Sequence, residues 1–322
     1  MLNYSELLTR INAKIASTTY GSNPKNLYEP IDYMMGLGGK RLRPVLTLMA
    51  CDLFGKEVDE AIHAAIAIEV FHNFTLVHDD IMDNAPLRRG KETVYKKWDM
   101  PIAILSGDLM MIKAVELLAK TPNPRFYQIL EVFNDAAAKV CEGQQIDMNF
   151  ESRDDVKHDE YIDMIALKTA VLLGCSLKIG ALIGGAETQD ADYLYAFGKN
   201  MGIAFQIQDD ILDSFGDGEQ FGKRIGGDIA SNKKTLLLIE LMETVHKDDK
   251  ILLNLLLHEI DEDKKIEGVL KLYDKYKIKQ FAEQKKQDYL KKAFEFLHLV
   301  NIEPIRKKTL EQTALKLMER MS

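Results

Sequence analysis

Apolar residues recur at spacings of three and four along almost the whole chain, and no stretch alternates strictly enough to make a half-buried strand. That period places apolar side chains on one stripe of a helix and scatters them over both faces of a sheet. The spacing predicts helices over residues 3–18, 25–36, 41–54, 57–84, 101–118, 125–150, 158–184, 189–215, 233–244, 248–257, 265–276, 279–297 and 303–319. The breaks carry Gly, Pro and Asn, at Gly21 to Pro24, Gly38-Gly39, Asn84 to Pro86, Thr121 to Pro124, Gly216 to Gly218 and Gly226-Gly227. Helices of this kind bury their stripes only against one another, so the fold class is all-α, a helical bundle. No linker divides the 322 residues, a length at the upper limit for one core, and a single domain over 1–322 is expected.

Composition narrows the partners. With 46% hydrophobic and 29% charged residues the chain reads as globular and ordered, and a net charge of -8 argues against nucleic acid as a partner. Cys51, Cys141 and Cys175 are odd in number and widely spaced in apolar surroundings, as reduced thiols of a cytoplasmic protein would be. The start, MLNYSELLTR, lacks the basic head and apolar run of a secretory signal. The most apolar window, Thr169 to Ala186, contains Lys178 and several glycines, so a buried helix is expected there and no membrane span.

The stretch FHNFTLVHDDIMDNAPLRR, residues 71–89, runs an apolar helix into Asp79, Asp80 and Asp83, then into Arg88 and Arg89. Asp79 and Asp83 fall one turn apart on one helix face, where like charges repel. Paired hard oxygen ligands suit Mg²⁺, which takes one or two protein carboxylates together with substrate phosphate oxygens. FQIQDDILD repeats the motif 130 residues later as Asp209, Asp210 and Asp213, again at the end of an apolar helix. Two such clusters facing one cavity would need divalent ions to neutralise them.

Four basic features accompany the acids. GLGGKRLRP, residues 36–44, sets glycines before a helix start and adds Lys40, Arg41 and Arg43, a pattern that can hold an anion but is no Walker loop. His72 lies two turns before Asp79 on nearly the same face, within reach of a phosphate or simply buried in the core. Lys168, beside Thr169, sits in an apolar run and needs an anionic partner if buried. FGKRIGGDIASNKKT, residues 221–235, reads either as a cationic lid over a phosphate or as a solvated loop. The last third, Lys247 to Lys292, reads as amphipathic surface helices.

In this order, GGKRLRP, His72 with HDDIMD and RRG, Lys168-Thr169, FQIQDDILD and GKRIGGD resemble the trans-isoprenyl diphosphate synthases over residues 36–235. The resemblance implies a helical homodimer with a deep central cavity, where the two Asp motifs face each other across Mg²⁺, three ions in all. It makes Asp79, Asp83 and Asp209 metal ligands, with Asp80, Asp210 and Asp213 completing the acidic sets. Arg88, Lys168, Lys223 and Lys233 would hold an allylic diphosphate (dimethylallyl, geranyl or farnesyl), and Lys40, Arg43, His72 and Arg89 would hold isopentenyl diphosphate. Thr169 and Gln206, with Lys168, would serve the reacting centre. The family usually carries Gly-Lys before a final Thr where this chain has Asn232-Lys233-Lys234-Thr235, and Lys233 takes the lysine position; Arg320 is a candidate basic tail residue.

In this family the wall below the first Asp motif measures the product. Thr75 leaves that floor open, Phe74 is bulky at the fifth position before Asp79, and Phe71 lies one turn deeper. With no insertion inside DDIMD this pattern implies a C20 product ahead of C15, with longer polyprenyl products the alternative. A terpene cyclase would leave GGKRLRP unexplained, and a non-catalytic synthase subunit would be expected to lose one Asp motif, whereas both are kept.

Overall fold

The computed structural model describes residues 2–216 and 225–319, so Lys223 and Arg320 lie outside the described residues. Helices occupy the segments that the periodicity predicts, with ends moved by a few residues. They are α1 (Tyr4–Ser17), α2 (Lys25–Gly36), α3 (Leu42–Leu53) and, after a 3₁₀ turn at Val58–Ala61, α4 (Ile62–Met82). A hairpin of β1 (Leu87–Arg88) and β2 (Lys91–Glu92) and the short α5 (Val94–Lys97) lead to α6 (Met100–Leu118) and α7 (Phe126–Phe150). Then come α8 (His158–Ile165), a π-helical segment at Ala166–Ala170, α9 (Val171–Ile183) and α10 (Thr188–Phe215). The chain ends through α11 (Gly227–Ala230), α12 (Leu236–Thr244), α13 (Lys247–Leu257), α14 (Glu262–Lys275), α15 (Ile278–Leu299) and α16 (Pro304–Glu319).

Local chemistry sets the helix starts. Asn3 and Glu6 close a capping box on α1, Asp99 accepts the Ile102 N–H at 2.7 Å to begin α6, and Thr235 caps α12. The hairpin, too short to show a period, turns at Arg89 and Gly90, whose φ values of 53° and 74° are both positive, as tight hairpin turns require.

The chain forms two compact units. Among the described residues, one comprises 2–133, 175–194 and 300–309; the other comprises 134–174, 195–216, 225–299 and 310–319. In the first, α4 is central: Ile66, Ala67, Ile68, Val70 and Phe71 are buried against α6 and α3. A helix buried round most of its circumference over its first turns is an inner one, and the Glu69 and Asn73 it carries there are buried with it. In the second, Ile207 and Ile211 of α10, Leu236 to Ile239 of α12 and Tyr273 of α14 share one core with Tyr161 and Phe150. The helical run His158–Ile183 is long and apolar enough to cross a membrane, but 78% of its most apolar window is buried inside the protein. The charged last third is amphipathic as expected, although α13 also leaves Ile251, Leu252 and Leu255 exposed.

Candidate active site

The first acidic cluster sits where α4 stops. Ala85 N–H donates to Asp80 O at 3.0 Å and Asn84 N–H to Ile81 O at 3.3 Å, with Asn84 in the left-handed region at φ 52°, which is Schellman geometry. Three carboxylates there add negative charge to a helix end that is already negative. Asp80 turns inward, its side chain 1% exposed, and Arg88 on β1 answers it with Nε and Nη2 each 2.7 Å from Oδ1. Burial raises the Asp80 carboxyl above its ordinary pKa, and Arg88 opposes that rise. Among the described residues, Asp80 Oδ2 is buried without a hydrogen-bond partner. Asp79, whose Oδ2 is 4.0 Å from Arg88 Nη2, and exposed Asp83 stand one turn apart on the adjoining face.

The basic cluster of this unit gathers around the start of α3. Gly38 and Gly39 take φ values of 76° and 128° before the helix, and no side chain caps it. Arg43 Nη1 lies 3.1 Å from His72 Nε2. Burial, then Arg43 and Arg89, hold the His72 pKa well below the usual imidazole range, so the neutral ring accepts that bond and keeps its own proton on Nδ1. Burial also lowers Arg43, to about 10. Arg89 donates to Gly38 O, and its guanidinium lies over Gly39, whose φ of 128° is a backbone conformation that side chains rarely adopt. Lys40 is exposed beside them. Arg41, read with the anion-binding residues, instead points into the core and pairs with Glu69 at 2.6 Å.

Along α4 below the acids, Phe71, Phe74 and His78 form one stripe, with ring centroids 5.6 Å apart for the first pair and 4.9 Å for the second. Phe71 is buried and Phe74 and Thr75 are half-buried, while the Thr75 hydroxyl donates to His72 O at 2.8 Å.

The second unit carries the other motif on α10. Asp210 is 4% exposed; Tyr161 donates its phenol proton to Oδ2, and Gln206 Nε2 stands 3.4 Å from Oδ1. Burial first, then the charge of Asp228, push its pKa up to about 7, against the opposing pull of Tyr161 and Lys233. Asp213 anchors the following turn: its Oδ2 accepts the Asp228 N–H at 3.0 Å and its carbonyl accepts the Gly226 N–H at 2.6 Å. Lys233 is exposed nearby, whereas Lys234 is buried and pairs with Asp154 at 3.0 Å.

Lys168 and Thr169 lie in the π-helical segment, where the Val171 N–H reaches back to Ala166 O. Such wide turns recur at functional sites. Here the turn is packed against α7, since a Cβ on Gly143 would fall 2.2 Å from the Lys168 nitrogen. Lys168 Nζ finds its anion in Asp147, at 2.6 Å, and Thr169 Oγ1 donates to Gln206 Oε1 at 3.4 Å. Asp147, Tyr161, Asp228 and Glu69 are thus site-supporting residues that sequence reasoning missed. Lys168 signalled that an acid was needed, but not which one.

Among the described residues no three His, Cys, Asp or Glu side chains converge into a cage of their own. Mg²⁺ does not need one, because substrate oxygens complete its shell. An open acceptor on Asp80, beside two carboxylates at a negative helix end, fits such an ion. This donor set suits diphosphate chemistry with a divalent metal.

The polyprenyl synthetase family model matches residues 24–273. The geranylgeranyl diphosphate synthase of Sulfolobus acidocaldarius is 40% identical over 303 residues, 92% of this chain and 91% of that protein. A crystal structure of a geranylgeranyl pyrophosphate synthase is 44% identical and aligns over 100% of both chains with a TM-score of 0.95. The geranylgeranyl pyrophosphate synthetase from Pyrococcus horikoshii Ot3 is 36% identical over 98% of this chain and 99% of that one, with a TM-score of 0.91. The chain therefore belongs to the polyprenyl synthetase family, Mg²⁺-dependent prenyltransferases that use isopentenyl diphosphate and an allylic diphosphate.

Proposed function

We propose that the protein condenses isopentenyl diphosphate with an allylic diphosphate and stops at the C20 all-trans product. The carrying observation is that each Asp motif roots one carboxylate in the fold, Asp80 through Arg88 and Asp210 through Tyr161. Asp79 and Asp83 in one unit and Asp209 in the other are the Mg²⁺ ligands of this reading, for three ions, with Asp213 as a supporting acid. Bound Mg²⁺ neutralises the charge that gathers on the diphosphate as the allylic C–O bond ionises.

Arg88, Lys168 and Lys233 add cations to that leaving group, with Lys223, outside the described residues, as the fourth of this reading, and charge positioned in advance stabilises the transition state more than the ground state. Lys40, Arg43, His72 and Arg89 bind isopentenyl diphosphate, and holding the two substrates together removes much of the entropic barrier. The Thr169–Gln206–Asp210 chain of hydrogen bonds fixes the Gln206 amide, so that the Thr169 and Gln206 oxygens can face the developing carbocation. No side-chain nucleophile is used.

Phe74, wedged between the rings of Phe71 and His78, is the floor that halts growth at C20. The exposed Met100, Ile104, Leu105 and Ile112 of α6 support a homodimer through that helix, and the odd count of three widely spaced cysteines supports a cytoplasmic location. The test is incubation with Mg²⁺, labelled isopentenyl diphosphate and each of dimethylallyl, geranyl and farnesyl diphosphate, followed by sizing of the products. All three primers should converge on C20. Failure to elongate any of them refutes the synthase reading, and arrest at C15 refutes the chain length.

A further inference from the structure

We infer that Glu69, steadied by Asn73, is a positioning residue for the isopentenyl diphosphate ligands and acts through Arg41. The inference rests on the reading of Lys40, Arg43, His72 and Arg89 as those ligands.

Arg41 stands between Lys40 and Arg43 in the sequence, yet it is 4% exposed and turned into the core. Its backbone, at φ 48° and ψ 38°, forms the N-cap of α3 in the left-handed region. An N-cap residue ordinarily adopts extended geometry and offers a side-chain oxygen, and a bulky residue remains left-handed only where its surroundings compel it. The compulsion is visible. Arg41 Nη1 donates to Glu69 Oε1 at 2.6 Å and Nη2 donates to Met35 O. Glu69 is itself buried, and Asn73 Nδ2 holds it from the next turn of α4, at 3.2 Å from Oε1 and 2.8 Å from the Glu69 carbonyl. Each buried charge depends on the other, because a lone one would strand its partner.

The proposed ligands all hang from this bond. Lys40 precedes Arg41, and its carbonyl accepts the Tyr4 hydroxyl. Gly38, three residues before Arg41, supplies the carbonyl that receives Arg89. Arg43 follows Arg41 by two residues and meets His72, which follows Glu69 by three on α4. Neutralising Glu69 removes no ligand atom. It releases a guanidinium that seeks solvent and lets the N-cap relax toward extended geometry, which turns Lys40 and the Gly38 carbonyl away from the set.

Steady-state kinetics of Glu69→Gln, which keeps the side-chain size, test this. The KM for isopentenyl diphosphate should rise about tenfold while the KM for the allylic primer stays within about twofold, since misaligned binding groups weaken one substrate only. Asn73→Ala keeps the ion pair but loosens Glu69, and a smaller rise of about threefold, again for isopentenyl diphosphate alone, is expected; it decides the matter if Glu69→Gln does not fold. Lys40→Gln separates the two layers of the argument. If it leaves the isopentenyl diphosphate KM unchanged, the ligand reading fails. If it raises that KM while Glu69→Gln and Asn73→Ala do not, or if they raise both KM values alike, Glu69 is merely structural and the inference is overturned.

Discussion

Replacing Arg88 by methionine keeps the aliphatic stem, removes the guanidinium and leaves the Asp80 carboxylate alone in the protein. Breaking a fully buried ion pair costs about 3–5 kcal/mol, but the Arg88 side chain is 24% exposed, so water can take part of its place and about 2–3 kcal/mol is expected. At about 2–4 °C per kcal/mol the melting temperature should fall by about 5–10 °C. The loss should depend on pH. The folded-state pKa of Asp80 already lies above its unfolded value, because burial outweighs Arg88, and losing Arg88 raises it further. A carboxyl raised in this way keeps its full stability contribution below the unfolded pKa of about 4 and loses it as pH rises through the folded pKa. The gap between the wild type and Arg88→Met should therefore widen as pH rises above the unfolded value, through the raised folded-state pKa. Thermal unfolding by circular dichroism in EDTA measures this without bound metal. The double variant Arg88→Met/Asp80→Asn should regain most of the stability at the higher pH and none of the activity. A pH-independent loss, or no recovery in the double variant, would refute the assignment of Arg88 as the counter-charge of a buried carboxylate.

Phe74→Ala should lengthen the product by about one isoprene unit, which roughly matches one helical turn of about 5.4 Å, and chromatography showing an unchanged distribution would remove Phe74 as the floor. Tyr161→Phe withdraws a proton donor that lowers the Asp210 pKa, so that value should move above about 7. The stability that this group loses with rising pH, complete near neutrality in the wild type, should go on falling above it in the variant; parallel melting curves in EDTA would contradict this. Gly143→Ala forces a methyl against the Lys168 nitrogen and should cost about 1–3 kcal/mol together with turnover, whereas an unchanged melting temperature would deny the close contact.

The helices were legible because burial needs a stripe, and a stripe leaves a period of 3.6 in the sequence. The hairpin was not, since two residues per strand cannot show alternation, and the Arg89-Gly90 pair gave its turn no stronger signal than any basic residue before glycine. Composition also could not distinguish the widened turn at Ala166–Ala170 from ordinary helix, because both accept the same residues. Among the site residues, Asp80 and Arg41 show the limit clearly. Each lies in a motif of like neighbours, yet one faces Arg88 and the other Glu69, and the direction of a side chain depends on the partner waiting for it. Those partners come from distant segments, as Tyr161 does for Asp210 and Asp147 for Lys168, and nothing local to a motif names them.

The widened turn at Ala166–Ala170 holds one residue more than an α-turn would. A single deletion there would restore regular hydrogen bonding and keep the segment just as apolar, so it would look harmless by composition. It would also swing what lies on one side of it by about 100° relative to the other, separating Lys168 from Asp147 or Thr169 from Gln206. Loops on the surface of this protein can change length over evolutionary time, but this segment, in the middle of a helical run, should refuse insertions and deletions even at Ala166, Leu167 and Ala170, where another apolar residue would be admitted.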